Sequence, residues 1–288
     1  MLDAKLNKLR ALLESYHSCV VAYSGGVDSV FLAHEAHMVL GAKSIAVIAD
    51  SPSLPRRELA EALEIAESHS FPVQVIRTNE FSNDQYLANP NNRCYFCKHE
   101  LFSELAPLAR SGNFRAIIYG ENASDIGDHR PGAKAAAEFL IHAPLKEAGL
   151  TKAEIRELSA RHGLPTADKP QMACLSSRIP YGEAVTPEKL IMIEEAEYVL
   201  RDLGFYDVRV RHHELKQGAL ARIELGPTEI SKFLESGAMD TVSTQLRKLG
   251  YLHSTLDLAG YRRGSMNEPS PITFRSPSLA PGPLPNQT

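Results

Sequence analysis

Two groups of residues in this chain have types and spacing suited to chemistry. The first is the hexapeptide Ser24-Gly25-Gly26-Val27-Asp28-Ser29, set between the apolar run Cys19–Tyr23 and the helix-like run Val30–Ala36. A strand, a glycine turn and a helix together present backbone N–H groups to phosphate. The two glycines let the backbone approach an anion closely, and Ser24 and Ser29 add hydroxyl donors. The spacing lacks the lysine of a Walker loop and is not the Gly-x-Gly-x-x-Gly of dinucleotide folds. Without a ligand, the same residues would be a plain turn between strand and helix.

The second group is made of cysteines. Of the four, Cys19 lies in an apolar strand and is expected to be a buried small hydrophobe. Cys94 and Cys97 form a Cys-x-x-Cys pair, which in a reducing compartment reads as metal-binding or redox. One helical turn or one tight loop separates the two thiols, so both can reach one metal. Two thiolates do not complete a structural zinc site. Cys174 could be a third ligand, but only tertiary structure can bring it close. Three thiolates would bind a [4Fe–4S] cluster and leave one iron without a protein ligand, free to hold an extra sulfide. Spacing alone leaves the cluster, a redox dithiol and unrelated buried thiols all open. Cys174 sits in the dense segment Lys169–Gly182, where Lys169 and Arg178 favour thiolate and the nearby hydroxyls and guanidinium suit an anionic substrate. Proline, glycine and polar residues mark this segment as a loop rather than core.

Other charged residues are more ambiguous. Arg209 and Arg211 alternate with valines and share one face of a strand, and Arg222 and Glu224 do the same on the next. Paired arginines can grip a phosphate, but the pattern alone favours a solvated sheet face with cross-strand charge pairs. The eleven histidines show no metal-ligand pattern and are read as structural, with His212 and His213 on opposite faces of a strand. Asp125 and Asp128 could serve Mg²⁺ or a substrate, or be turn residues.

The elements that must position these residues alternate. A helix over 1–16 is followed by strands near 18–23, 44–49, 71–77 and 116–120, with helices over 57–69 and from Cys94 to Arg110. Nearly continuous apolar strands alternating with helices predict an α/β fold with a doubly wound, mostly parallel sheet. Ligands in such sheets bind at the carboxyl ends of the strands, where the glycine loop, Asp50 and Gly120-Glu121-Asn122 all fall. Thr151 and Glu154 suit a capping box at the head of a helix over 151–162. The pattern then changes: a helix from Pro187 to Gly204, strands Val208–Arg211 and Ala221–Leu225 of half-buried antiparallel type, a helix, and a strand near His253–Leu258. The expected organisation is an α/β domain over 1–184, a small α+β domain over 185–264 serving substrate binding or oligomerisation, and a Pro-rich, disordered tail over 265–288.

Composition is that of an ordinary globular protein, with 43% hydrophobic and 23% charged residues. A net charge of −4 and no basic stripe argue against a nucleic-acid partner. No apolar stretch approaches the roughly 20 residues needed to span a bilayer, and no signal-peptide h-region opens the chain, so a cytoplasmic location with no membrane association is expected.

The combination is similar to a known family. The loop Ser24–Ser29 resembles the SGGxDS loop of the PP-loop ATP pyrophosphatases (adenine nucleotide alpha hydrolase-like), which cleave ATP to AMP and pyrophosphate. With Ala49–Ser53, Ala173–Gly182, Val208–Arg211, Ala221–Leu225, Thr255–Arg262 and Gly264–Asn267, the chain over about 1–267 resembles the LarE family of ATP-dependent sulfur transferases, which build the nickel-pincer nucleotide cofactor. The resemblance implies adenylation of a carboxylate of pyridinium-3,5-biscarboxylic acid mononucleotide, then displacement of AMP by sulfur, repeated on the second carboxylate. It implies that Ser24, Gly25, Gly26, Val27, Asp28, Ser29 and Asp50 hold ATP and Mg²⁺, with Asp28 arranging metal or pyrophosphate. It implies that Ser177, Arg209 and Arg211 bind the substrate phosphate, and that Arg178, Glu197 and Glu224 complete the active-site region. Cys174 matches a cysteine that in one branch gives up its own sulfur. The presence of Cys94 and Cys97 beside it resembles a second branch that holds a [4Fe–4S] cluster on three cysteines. A homo-oligomer, hexameric by resemblance, a sulfur donor and a downstream nickel-insertion protein are the implied partners. A PP-loop tRNA thiolase, which would need to bind RNA, and an amidotransferase-type synthetase, which would need none of the three cysteines, are the competing readings.

Overall fold

The structure, a computed structural model, describes residues 1–125, 131–170 and 173–262. Four strands, β1 (Cys19–Tyr23), β2 (Ser44–Asp50), β3 (Val73–Arg77) and β4 (Ala116–Tyr119), form a parallel sheet in the order β3-β2-β1-β4. Side chains alternate across a strand, and both faces of β1 are covered. Val21 and Tyr23 join a core with the helices Leu2–Tyr16, Val27–Leu40, Arg56–Ser68 and Lys152–Arg161 through Leu9, Leu13, Phe31, Ile65 and Leu158. Val20 packs on the other face with Phe102 and Leu105 of the helix Arg93–Ser111 and Ala135 of the helix Pro131–Glu138. This is the doubly wound sheet that the apolar strands predict. The capping box is present: the Thr151 side chain accepts from Glu154 N, and Glu154 Oε2 accepts from Thr151 N at 2.9 Å.

A second, three-stranded sheet runs β5 (Val208–Leu215), β6 (Gly218–Leu225) and β7 (Tyr251–Leu256). β5 and β6 are antiparallel, as expected. β7 runs parallel to β6, because two helices, Pro227–Glu235 and Ala238–Lys248, fill the crossover where the sequence pattern suggests one. The helix Pro187–Asp202 packs on this sheet through Ala196 and Leu200, giving a separate core with Phe205, Val210, Ile223 and Leu246. The expectation of a solvated charged face fails here. Arg209, Arg211 and Glu224 are all nearly inaccessible, because the segment Leu175–Arg178 lies over β5.

That segment also departs from the loop reading. Leu175–Arg178 is a 3₁₀ turn with Leu175, Ser176 and Arg178 buried, and Leu175, Ile179 and Val185 form a small apolar cluster with Tyr86, Leu190 and Ile193. It is core between the two sheets, and its polar residues are tolerated because each is hydrogen-bonded. Among the described residues, no helix is long and apolar enough to cross a membrane. Asp128 and the 265–288 tail lie outside the described residues.

Candidate active site

The glycine loop joins β1 to the helix Val27–Leu40. Gly25 sits at φ +71°, and a Cβ there would stand 2.8 Å from the Cβ of Ala62, so both conformation and space require glycine. Gly26 is the N-cap and offers no side chain, which leaves the first-turn N–H groups without a side-chain cap. Ser29 is mainly a brace for the loop: its Oγ accepts from Ser24 N at 3.1 Å, lies 3.0 Å from Ser24 Oγ, and donates to Gly26 O at 3.0 Å. On the far side, Gly120 at the end of β4 lets that strand approach the helix start; a Cβ there would be 3.1 Å from Ser29 N.

These elements enclose a cavity of about 280 Å³ at the carboxyl ends of β1 and β4, walled by Ser24, Gly26, Val27, Asp28, Ser29, Lys98, Glu121, Asn122, Asp125 and Lys152. Asp28 Oδ2 accepts from Lys152 Nζ at 2.7 Å, while its buried Oδ1 makes no close hydrogen bond among the described residues, although the Asn122 side chain also favours the charged carboxyl. Burial pushes the Asp28 carboxyl above its usual range, and Lys152 opposes that shift. An unsatisfied carboxylate oxygen beside a lysine and a helix N-terminus suits a Mg²⁺-phosphate group. Lys152 and Lys98 carry no motif signal in the sequence. The fold supplies them, one from the start of the helix Lys152–Arg161 and one from the helix Arg93–Ser111.

A second cavity of about 210 Å³ adjoins the first, sharing Ser24 and Leu101. Its wall includes Ala49, Ser51, Ser53, Glu58, Glu80, Cys97 and Cys174. Asp50, expected with the phosphate loop, turns instead to Arg56, whose guanidinium also donates to Ser51 O at 2.7 Å. Cys94 and Cys97 occupy the first turn of the helix Arg93–Ser111, with Cys94 at the surface. Desolvation raises both thiols above the usual range, for Cys94 at its sulfur although the residue as a whole is exposed, and charge on Cys174 raises each further. The three thiols therefore share one electrostatic neighbourhood, across a long gap in sequence. By contrast, Cys19 is fully buried in β1, and burial pushes its pKa up to about 12.

Cys174 is fixed through its backbone. Arg178, fully buried, donates through Nη1 to Ala173 O at 2.7 Å and to Cys174 O at 3.1 Å, and grips Glu197 through Nε and Nη2 at 2.8 and 3.1 Å. Leu175 N donates to Ser53 O at 2.9 Å. Ser176 Oγ meets Ser53 Oγ at 2.9 Å and Tyr86 OH at 2.8 Å, closing a buried triangle of hydroxyls. Arg93 Nη1 reaches Ser176 O at 3.0 Å. Ser53 ends the run Ala49–Ser53 that carries part of the resemblance, whereas Arg93 and Tyr86 have no signal in the sequence beyond the adjacency of Arg93 to Cys94.

The arginines of β5 meet this segment from the other sheet. Arg211 donates to Ser177 O at 2.9 Å and pairs with Glu224 Oε2 at 2.7 Å, while Arg222 holds the other Glu224 oxygen at 2.9 Å. Arg209 lies over the Tyr261 ring at 4.7 Å. Burial and then the Arg178 charge lower its pKa, which is the environment of a cation next to a second cation. Ser177 Oγ accepts from Arg178 at 3.0 Å. The structure thus brings together Ser177, Arg178, Glu197, Arg209, Arg211 and Glu224. It places Arg178 and Glu197 behind Cys174 as a closed ion pair.

A parallel doubly wound sheet with a Ser-Gly-Gly-x-Asp-Ser loop at a helix start defines a PP-loop ATP pyrophosphatase. No protein-family model matches the chain. The chain is 43% identical over 267 residues to an uncharacterized protein of Synechocystis, covering 93% of this chain and 98% of that one. It is 35% identical over 268 residues to the pyridinium-3,5-bisthiocarboxylic acid mononucleotide synthase of Lactiplantibacillus plantarum, covering 93% of this chain and 95% of that enzyme. A tRNA-specific 2-thiouridylase of Cereibacter sphaeroides is 28% identical over 64% of this chain and 59% of its own length. The chain belongs to the family of the Lactiplantibacillus synthase, the LarE family.

Proposed function

We propose that the protein transfers sulfur to pyridinium-3,5-biscarboxylic acid mononucleotide, using ATP to activate each carboxylate in turn. The observation that carries this reading is the shared wall: Ser24 of the phosphate loop and the thiols of Cys97 and Cys174 line one continuous space. A carboxylate is a poor electrophile. Its attack on the α-phosphorus of ATP releases pyrophosphate and gives an acyl-adenylate. Sulfur then adds to the acyl carbon, and AMP leaves with the oxygen that bridged to phosphorus. The loop amides and Lys152 hold the triphosphate, Mg²⁺ would bind beside Asp28, and both offset charge in the first step. Arg209 and Arg211, with Ser177, would hold the substrate phosphate. Arg178 and Glu197 position Cys174, because the guanidinium is taken up by the carbonyls of Ala173 and Cys174 and by the Glu197 carboxylate.

Cys97 and Cys174 line the second cavity and Cys94 lies one helical turn from Cys97, and three thiolates are the donor chemistry of a [4Fe–4S] cluster. Among the described residues, the three thiols are not a group drawn within 4.8 Å, as ligands of one small ion would be. Thiolates on separate corners of a cluster stand further apart than that. Such a cluster would supply an iron lacking a protein ligand, able to carry a sulfide. A second reading, in which Cys174 surrenders its own sulfur, is favoured by the exposure of Cys94 and by the backbone clamp on Cys174 alone. Iron and acid-labile sulfide measured per chain, on protein isolated without oxygen, separate the two readings. About four of each supports the cluster; none after reconstitution, with loss of a sulfur mass at Cys174 after turnover, supports the sacrificial donor. A homo-oligomer, a sulfur donor and a nickel-insertion partner belong to the same reading. Salt-dependent tRNA binding would favour the thiolase instead.

A further inference from the structure

The histidines, read from sequence as structural, include a cluster that the sulfur chemistry does not use. His34 and Glu35 lie midway along the helix Val27–Leu40, and His162 caps the helix Lys152–Arg161. One ligand atom from each lies within 4.8 Å of the other two. Sequence missed the set because His34 and Glu35 are adjacent and His162 is far along the chain; only the packing of two helices joins them. Glu35 follows Asp28 by seven residues of helix, about 10 Å along the axis at 1.5 Å per residue, so the cluster is separate from the phosphate loop.

The carboxylate is oriented for a ligand. Arg10 holds Glu35 Oε2 through Nε at 2.8 Å and reaches Oε1 through Nη2 at 3.4 Å, and Oε1 also faces the two rings: His162 Nε2 is 3.3 Å from it and His34 Nδ1 is 3.8 Å away. Glu35 is fully buried, and His34 Nδ1 is a buried nitrogen with no hydrogen-bond partner among the described residues. A nitrogen left in that state costs stability unless something binds it. Ligands about 2.0–2.2 Å from a tetrahedral Zn²⁺ stand roughly 3.3–3.6 Å from one another, and the two measured separations bracket that value. His162 keeps 24% of its side chain exposed, which leaves an entry path and room for water as the remaining ligand.

We propose that His34, Glu35 and His162 form a binding site for a first-row divalent transition cation, Zn²⁺ or one of similar preference, independent of the thiol site. Two imidazoles and one carboxylate suit these ions over Mg²⁺ or Ca²⁺. The ion would tie the helix that begins at the phosphate loop to the helix that supplies Lys152, with Arg10 anchoring the carboxylate from the amino-terminal helix.

The test uses the full chain with Cys94, Cys97 and Cys174 all changed to serine, so that thiols cannot bind the probe. Titration with Zn²⁺ is expected to show one ion per chain, and His34→Ala or His162→Ala added to that background to weaken binding at least tenfold. No binding to the serine chain, or binding unchanged by the histidine variants, overturns the proposal. If the serine chain fails to fold, Co²⁺ added to the unaltered chain replaces it. Visible bands of a nitrogen–oxygen site that His162→Gln removes, while thiolate-to-cobalt bands persist, support the site. A spectrum indifferent to His162→Gln overturns it.

Discussion

The two adjoining cavities are built on opposite plans. The phosphate cavity draws most of its wall from two short stretches, 24–29 and 119–125, each the end of a strand, and shapes it with backbone and glycine. The thiol cavity gathers its wall from Ser24 and from segments near 49–58, 78–80, 97–101 and 173–174, and its two thiols come from segments far apart in the chain. The first is fixed by local geometry that any strand–turn–helix unit can repeat. The second exists only if the segment 173–179 is held in place, and that task falls to buried charge and hydroxyl networks reaching across to the second sheet. A reaction in two steps, activation and then sulfur delivery, would divide naturally between a wall of the first kind and a wall of the second.

The most direct way to break that division is Cys174→Ala. Thiocarboxylate product, followed by mass spectrometry, should fall to background, while substrate-dependent pyrophosphate release continues. If pyrophosphate release also disappears, the two cavities do not act separately. The converse variant is Gly25→Ala, which needs a positive φ and meets Ala62 at 2.8 Å. It should cut pyrophosphate release at least a hundredfold, and the backbone strain alone costs on the order of 1–3 kcal/mol. Unchanged release would mean that the loop does not hold the phosphates.

The same contrast explains what the sequence made legible. The loop, the parallel strands and the capping box at Thr151 are local: their residues are neighbours in the chain, and period and spacing reveal them. The convergence of Cys97 with Cys174, the closure of Arg178 on Glu197, and the His34–Glu35–His162 set are not local, and nothing in residue spacing encodes them. Polar composition was misleading at 173–182 and on β5. Serines and arginines usually mark solvent, but here each has a buried partner. Resemblance to a family pointed to Arg178 and Glu197 without showing that they serve Cys174 through its backbone.

Arg178→Ala tests that support. Removing one member of a buried pair leaves Glu197 charged and enclosed, a loss of about 3–5 kcal/mol and on the order of 10 °C in Tm for a chain of this size. Calorimetry should show this loss; a shift of a degree or two would mean the clamp is dispensable. The pair also predicts a pH dependence. Burial alone would raise the Glu197 pKa, but Arg178, Arg209 and Arg201 outweigh it and hold the carboxyl below its ordinary value. A carboxylate depressed in the folded state contributes stability that is complete above its unfolded pKa, near 4.3, and is lost as pH falls through the folded value. Tm should therefore drop more steeply below about pH 4 in the parent chain than in Glu197→Gln.

The smallest effect expected is at the hydroxyl triangle. Tyr86→Phe removes one corner while Ser53 and Ser176 still meet at 2.9 Å, so no buried donor is left without an acceptor. The cost should be near 1 kcal/mol, the net worth of one hydrogen bond. Its value lies in where the loss appears. If the triangle only stabilises, Tm falls slightly and sulfur transfer per adenylate is unchanged. If the triangle sets the register of Cys174 through Ser176 and Leu175, transfer falls while pyrophosphate release holds, and adenylate or free AMP accumulates without product. The second outcome would locate the precision of the thiol wall in its hydroxyls as well as its charges. The first would assign it to Arg178 and Glu197 alone.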